Sequence, residues 1–401
     1  MDSQNLKALN ITLLCKVVDN FGDIGVVYRL ARAITDIYTV GEVSPSAQPS
    51  GFRLPPHAGR APATPPLLKL RIIADNLESF HLLCPQVSPQ KNVQQVGPWE
   101  IFNWNAGQEC FKAFQKEPPH IIIECFQCGR PDWLEHLLFD VKVPDVVHII
   151  MLDYLTAEDY AESFHKLQSL TRSARVQKVN FMPGFTGKTG GLILDKPFIK
   201  SLKTRRLKKF NAVFFSYPRD WSPAVNALKK FNEEQCGGKL NVMLAKGAGF
   251  ESFKSAYSNS KTPAPFILTE LPFIPQSEWD ALLTNTPLIF IRGEDSLSRA
   301  ALCGVPFIWH AYPQSEEYQL VKVQALLNCL KAHFSVSDYE VLERCWTIYN
   351  TTNASNAVLE EALNNFLSRY ESLCAGFKEF SESLLQNGDL AQHLIDFALT
   401  R

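Results

Sequence analysis

Two aspartates four residues apart, Asp19 and Asp23, stand in the stretch Val-Val-Asp-Asn-Phe-Gly-Asp-Ile-Gly at 17–25. The apolar run 11–18 precedes them and a helix-like segment, Val-Val-Tyr-Arg-Leu-Ala-Arg-Ala-Ile, follows. A carboxylate pair at a strand end can do acid–base chemistry: one member takes a proton while the other holds a cationic or hydroxylic acceptor. Asn20, Phe21, Gly22 and Gly25 shape the loop, and the two glycines admit a substrate close to the backbone. The plainer account makes Asp19 a turn residue and Asp23 a helix N-cap. Dinucleotide binding is disfavoured, because the Gly-x-Gly-x-x-Gly spacing is missing and two acids would repel a pyrophosphate.

A second candidate is Leu-Ile-Phe-Ile-Arg-Gly-Glu-Asp-Ser at 288–296. Its pattern is a strand ending at Arg292, a turn at Gly293 and a helix opening near Ser296. Free amides at a helix start, with the Arg292 guanidinium and the Ser296 hydroxyl beside them, suit a diphosphate. The competing account makes Asp295 or Ser296 a simple N-cap and Glu294 a first-turn partner of the helix dipole. Downstream, residues 304–314 form an aromatic and polar loop that could equally be packing at a strand end. Three other stretches carry less. Pro-Gly-Phe-Thr-Gly-Lys-Thr at 183–189 ends like a phosphate-binding loop, but Met182 stands where that motif needs glycine. Cys125 and Cys128 have ligand spacing without a second such pair and read as strand-end thiols without metal. The basic run Arg205–Lys209 reads as a solvated helix face.

These loops need elements to hold them. Apolar β-rich runs at 11–18, 68–74, 120–124, 146–152, 212–217, 240–244, 266–271 and 288–291 alternate with helical patterns, which indicates parallel sheets with crossover helices. A chain of 401 residues exceeds what one core sustains, so two domains are expected. Residues 41–66 are rich in Pro, Gly, Ser and Ala without apolar period and read as a surface insertion. A connection falls between Phe181 and Phe210, and the tail from Tyr339 is helical in pattern. The expected division is 1–185, 186–375 and a helical tail, 376–401, with the two Rossmann-like domains facing each other across a cleft. A formal net charge of −1 gives no long-range attraction to nucleic acid or anionic lipid. The start lacks a signal-peptide pattern and no apolar run reaches transmembrane length, so the expected location is the cytoplasm. Ten scattered cysteines read as reduced thiols.

Taken together, several stretches resemble the bacterial protein-arginine rhamnosyltransferases of elongation factor P, the EarP family. They are residues 17–25 with Arg-Leu-Ala-Arg at 29–32, Phe-Met-Pro-Gly-Phe-Thr-Gly-Lys-Thr-Gly-Gly-Leu at 181–192, Leu-Pro-Phe-Ile-Pro-Gln at 271–276, Arg-Gly-Glu-Asp-Ser at 292–296 and Trp-His-Ala-Tyr-Pro-Gln at 309–314. They span both halves of the chain in order. The resemblance implies an α/β enzyme of the GT-B glycosyltransferase fold, cytoplasmic and bacterial. It would move L-rhamnose from dTDP-β-L-rhamnose to an arginine of elongation factor P, inverting the anomeric centre without metal or other cofactor. Carried onto this sequence, Asp23 matches the general base, and Asp19 and Glu294 match acids that hold or orient the reacting groups. Phe215 and Tyr217 match aromatics of the nucleotide-sugar site, Gln276, Asp295 and Ser296 match its polar contacts, and Trp279 stands where the family usually has Phe. Arg292 joins them on the diphosphate reading above. Ala311, Tyr28 and the 41–66 segment depart from the family pattern and remove no catalytic group. Other readings are a GT-B enzyme with a different nucleotide sugar or acceptor, a non-catalytic protein that docks on elongation factor P, and, least supported, a nicotinamide-dependent oxidoreductase.

Overall fold

The structure is a computed structural model that describes residues 9–18, 21–39, 68–141, 146–208, 210–260 and 264–400. Asp19, Asn20 and the whole of the 41–66 segment lie outside the described residues. The chain divides into two units, the first comprising Met1–Asp153, Lys166–Phe181 and Ala391–Arg401, the second Tyr154–His165 and Met182–Leu390.

In the first unit the strands are β1 (Leu9–Cys15), β2 (Leu68–Ala74), β3 (Val93–Val96), β4 (Trp99–Asn103), β5 (Ile121–Cys125), β6 (Val147–Leu152), β7 (Gln168–Ser169) and β8 (Val176–Phe181). They form one eight-stranded sheet in the order β3-β4-β2-β1-β5-β6-β8-β7. The central pairs are parallel, with Leu13 opposite Ile72 on one side and Ile123 on the other; the edge pairs β3–β4 and β7–β8 are antiparallel. The central strands β1, β2 and β5 are buried along nearly their whole length, because helices cover both faces of a parallel sheet and leave neither side to water. The helix Gly22–Thr39 returns from β1 with Ile24, Val27, Leu30, Ala31 and Ile34 fully buried, an apolar stripe at three- and four-residue spacing. On the same helix Tyr28 packs edge-on against Phe80 and Trp99, at 5.9 and 5.7 Å between ring centroids. The last helix, Leu390–Leu399, brings the chain end back to this unit, where Phe397 lies 5.8 Å from Phe181.

The second unit holds β9 (Asn211–Phe214), β10 (Asn241–Ala245), β11 (Ile267–Leu271), β12 (Leu288–Arg292) and β13 (Phe307–His310), parallel and in the order β11-β10-β9-β12-β13. Phe214 sits at the centre of its core, 4.1 Å from Phe253, 5.0 Å from Trp221 and 5.1 Å from Phe290. β13 corrects the reading of 304–314 as loop throughout: residues 307–310 pair with β12. The Arg205–Lys208 stretch is not a helix face either. Its preceding helix ends at Thr204, the Arg205 guanidinium donates to the carbonyl of Cys303, and the amides of Arg206 and Lys208 bond Asn285. In each sheet the strand order reverses beside the first strand, at β2-β1-β5 and at β10-β9-β12. Open α/β sheets bind ligands at such switch points, outside the carboxyl ends of the strands.

Candidate functional site

In the first unit the switch point holds the Asp23 loop. β1 ends at Cys15 and the next helix begins at Gly22, so Asp23 is not a cap but the second residue of the first turn. Asp23 is 3% exposed, and its Oδ2 accepts the Val18 amide at 2.8 Å, which ties the residues after β1 to the helix start. The helix dipole favours the anion at this position. Asp75, from the end of β2, holds the other side of the loop through the Val17 amide at 2.8 Å. Burial first, and the negative charge of Asp23 second, push the Cys15 thiol well above its ordinary range.

Sequence reasoning missed the neighbouring wall of this site. After β5 the chain turns through Phe126 and Gln127, both left-handed at φ 58° and 53°, and then through Gly129 at φ 70°. Non-glycine residues persist in that region only where the surroundings over-determine them. Here Leu152 accepts the Phe126 amide at 2.7 Å, Gln127 Nε2 reaches Asp153 at 2.9 Å, and the buried Glu124 carboxylate holds the Gly129 amide at 3.2 Å and the Arg130 guanidinium. Cys125 and Cys128 bracket this turn as neutral thiols: burial drives both upward, that of Cys128 to about 12. The only legible signal was the Cys-x-x-Cys spacing, which points to other chemistry.

In the second unit, seven residues singled out from the sequence come together at the ends of β9 and β12. The Arg292 guanidinium lies over both aromatic rings that follow β9, 4.6 Å from the centroids of Phe215 and Tyr217. Trp279 packs edge-on against Phe215 at 5.5 Å and donates from Nε1 to Ser296 Oγ at 3.2 Å. Gln276, nearly buried, donates to Asp295 at 3.4 Å. The helix opens earlier than the sequence suggests: it runs from Glu294 to Cys303 with Gly293 as its N-cap, at φ 76° and ψ 156°, and no side chain caps it. Asp295 and Ser296 are therefore first-turn residues rather than caps. A cation stacked on two rings beside a helix N-terminus can hold an anionic group, and aromatic side chains can stack on a planar one.

Two glycines fit the cluster tightly. A Cβ on Gly247 would stand 2.6 Å from the Phe215 ring and 3.3 Å from Arg292, and one on Gly249 would stand 2.4 Å from the Ser216 carbonyl. Behind the rings, His310 at the end of β13 accepts the Tyr217 amide through Nδ1 at 3.2 Å. Burial, then the charges of Arg219 and Arg292, hold its pKa down at about 3. Among the described residues no group of three or more His, Cys, Asp and Glu is arranged to hold a metal ion, and no helix is long and apolar enough to cross a membrane.

Residues 11–41 and 63–399 match the family model described as elongation factor P (EF-P) rhamnosyltransferase EarP; the break in the match falls within the 41–66 segment. The protein-arginine rhamnosyltransferase of Shewanella oneidensis is 29% identical over 357 residues, 81% of this chain and 82% of that one. That of Pseudomonas aeruginosa is 25% identical over 369 residues, 84% and 86%. A solved structure that describes EarP-mediated arginine glycosylation of EF-P superimposes with a TM-score of 0.54 at 16% identity, covering 98% of this chain and 99% of the other. The glycosyltransferase of kitacinnamycin does so with a TM-score of 0.51 at 9% identity, covering 98% and 99%. The fold is GT-B, built of two Rossmann-like units.

Proposed function

The chain belongs to the EarP family of EF-P rhamnosyltransferases, and from that premise we propose that it transfers L-rhamnose from dTDP-β-L-rhamnose to an arginine side chain of elongation factor P, with inversion and without a metal. The observation that carries the donor half is the convergence of Phe215, Tyr217, Gln276, Trp279, Arg292, Asp295 and Ser296 at one switch point. Aromatic faces suit the thymine base, and Arg292 with the helix amides suits the diphosphate.

The acceptor half rests on Asp23. An arginine side chain in water is protonated and carries five donors. Carboxylates hold it by paired charge-assisted bonds and aim one nitrogen at the anomeric carbon. As the nitrogen–carbon bond forms, the bond from that carbon to the diphosphate oxygen breaks, dTDP departs with the electron pair, and Asp23 takes the proton shed by the attacking nitrogen. Asp19 and Glu294 hold or orient the reacting groups in this reading.

The test is the intact mass of folded elongation factor P after incubation with the enzyme and dTDP-L-rhamnose. Gain of one deoxyhexose, mapped to an arginine, is the expected result. If dTDP-L-rhamnose gives no product and no thermal stabilisation while another nucleotide sugar gives both, the donor assignment falls. Stable docking on elongation factor P without turnover would instead make the chain a binding protein.

A further inference from the structure

We infer that His310 is a positioning residue of the donor site, which fixes the peptide of Tyr217 and through it the aromatic seat on which Arg292 lies. The inference rests on the reading above that Tyr217 and Arg292 bind the nucleotide.

β13 brings His310 into register directly opposite Arg292 of β12. Along β9 the backbone ladder with β12 reaches its end at Phe215, whose amide bonds the Phe290 carbonyl at 2.9 Å. Two residues later the Tyr217 amide has left the strand. His310 Nδ1 receives it at 3.2 Å, so a side chain takes over the pairing where the sheet stops. The carbonyl of the same residue accepts from Trp221 Nε1 at 3.2 Å. Tyr217 is thus pinned at its donor by one ring and at its acceptor by another.

The pinning ring is itself fixed. His310 is 5% exposed and meets Tyr217, Trp221 and Tyr349 edge-on, at 5.2, 5.6 and 5.2 Å. Tyr349 in turn shares a hydrogen bond of 2.8 Å with Ser216, one residue before the pinned amide. Burial first, and the charges of Arg219 and Arg292 second, keep the imidazole neutral, and a neutral ring that accepts the Tyr217 amide at Nδ1 carries its proton on Nε2. A residue that merely filled this space would need no acceptor at that atom.

That difference is the test. Asparagine places an amide oxygen where Nδ1 stands, and glutamine extends past that position. His310→Asn should bind dTDP within about threefold of wild type, whereas His310→Gln should lose about tenfold, the effect of one neutral hydrogen bond. Calorimetric titration of the full chain with dTDP reads this. Hydrogen exchange at the Tyr217 amide, without any nucleotide, reads the pinning directly: protected in wild type and in His310→Asn, at least about tenfold faster in His310→Gln. Equal affinities and equal exchange in both variants would overturn the inference, because packing alone would then explain the residue. Failure of the wild-type chain to bind dTDP, with the exchange pattern as expected, would instead overturn the donor reading and leave the pinning of Tyr217 standing.

Discussion

At the scale of single residues the first unit depends on a buried carboxylate and the second on a buried neutral imidazole. Asp23→Asn keeps the size of the side chain and an oxygen able to accept the Val18 amide, so the loop should fold. What it loses is the proton acceptor, and kcat should fall by on the order of a hundredfold or more while dTDP affinity stays unchanged. Single-turnover rates with calorimetric binding check both halves, and wild-type turnover would remove Asp23 from the mechanism. For His310 the consequence appears in stability. Its folded pKa of about 3 lies below the ordinary value of 6.5, so its contribution is present above pH 6.5 and is lost as pH falls toward 3. The groups facing it, Arg219, Arg292, Tyr217 and Tyr349, either are cationic or carry no charge in that range. Loss should run at roughly 1.4 kcal/mol per pH unit for complete burial. Urea midpoints between pH 7 and 4.5 should therefore drop less in His310→Asn than in wild type, and parallel curves would contradict the assignment.

At the scale of elements, the apolar runs led directly to the strands that carry the sites, because β5 and β12 are almost unbroken apolar runs and β1 and β2, which alternate Asn10 and Thr12 or Lys69 and Arg71 with apolar residues at the start, close on the apolar stretches Leu13–Cys15 and Ile72–Ala74. The short strands were harder to read. β3 alternates exposed and buried residues over four positions, and Phe307–His310 sits between a proline and an aromatic loop, so neither presents a run long enough to distinguish from a connection. The start of the donor helix was misread by two residues for a related reason. Asp295 and Ser296 are favourable caps, but Gly293 at positive φ turns the chain sooner and makes them first-turn residues. Close packing in this region distinguishes two glycines that lie two residues apart. Gly247→Ala would press only on the Phe215 ring and the Arg292 head, which can swing aside; dTDP affinity should drop several-fold while the melting temperature moves little. Gly249→Ala would meet the Ser216 carbonyl at 2.4 Å, and a backbone collision has to be relieved by shifting the strand end itself, at a cost of about 1–3 kcal/mol. A melting temperature lowered by several degrees is expected there, and equal behaviour of the two variants in thermal scans and titrations would refute this account of the seat.

At the scale of the whole molecule, the alternation of elements carried the reading of an α/β chain, and the quoted motifs carried its family. Composition could not show how the chain is shared out, since residues 154–165 belong to the second unit and the last helix to the first, exchanges that depend on tertiary contacts rather than on local pattern. Composition did suggest reduced thiols, and the burial of those thiols sets how the molecule responds to alkali. All ten cysteines are free and seven are buried. Burial holds Cys110 and Cys303 near 12 in the folded state, against 9.0 for an exposed thiol, and holds the partly buried Tyr38 and the buried Tyr339 at about 12 as well. These acids are raised, so the native state favours their neutral forms; their contribution is complete below pH 9 and is lost as pH climbs toward 12. Each fully buried thiol should remove roughly 1.4 kcal/mol per pH unit across that window. Denaturant midpoints should accordingly stay level from pH 7 to 8.5 and fall steeply by pH 10, and a thiol reagent at pH 8 should label the native chain slowly but the unfolded chain at once. A midpoint at pH 10 equal to that at pH 8 would mean that the thiols ionise as readily in the folded protein as in the unfolded one, and would contradict the buried, neutral character that places Cys15, Cys125 and Cys128 around the Asp23 loop as packing rather than as chemistry.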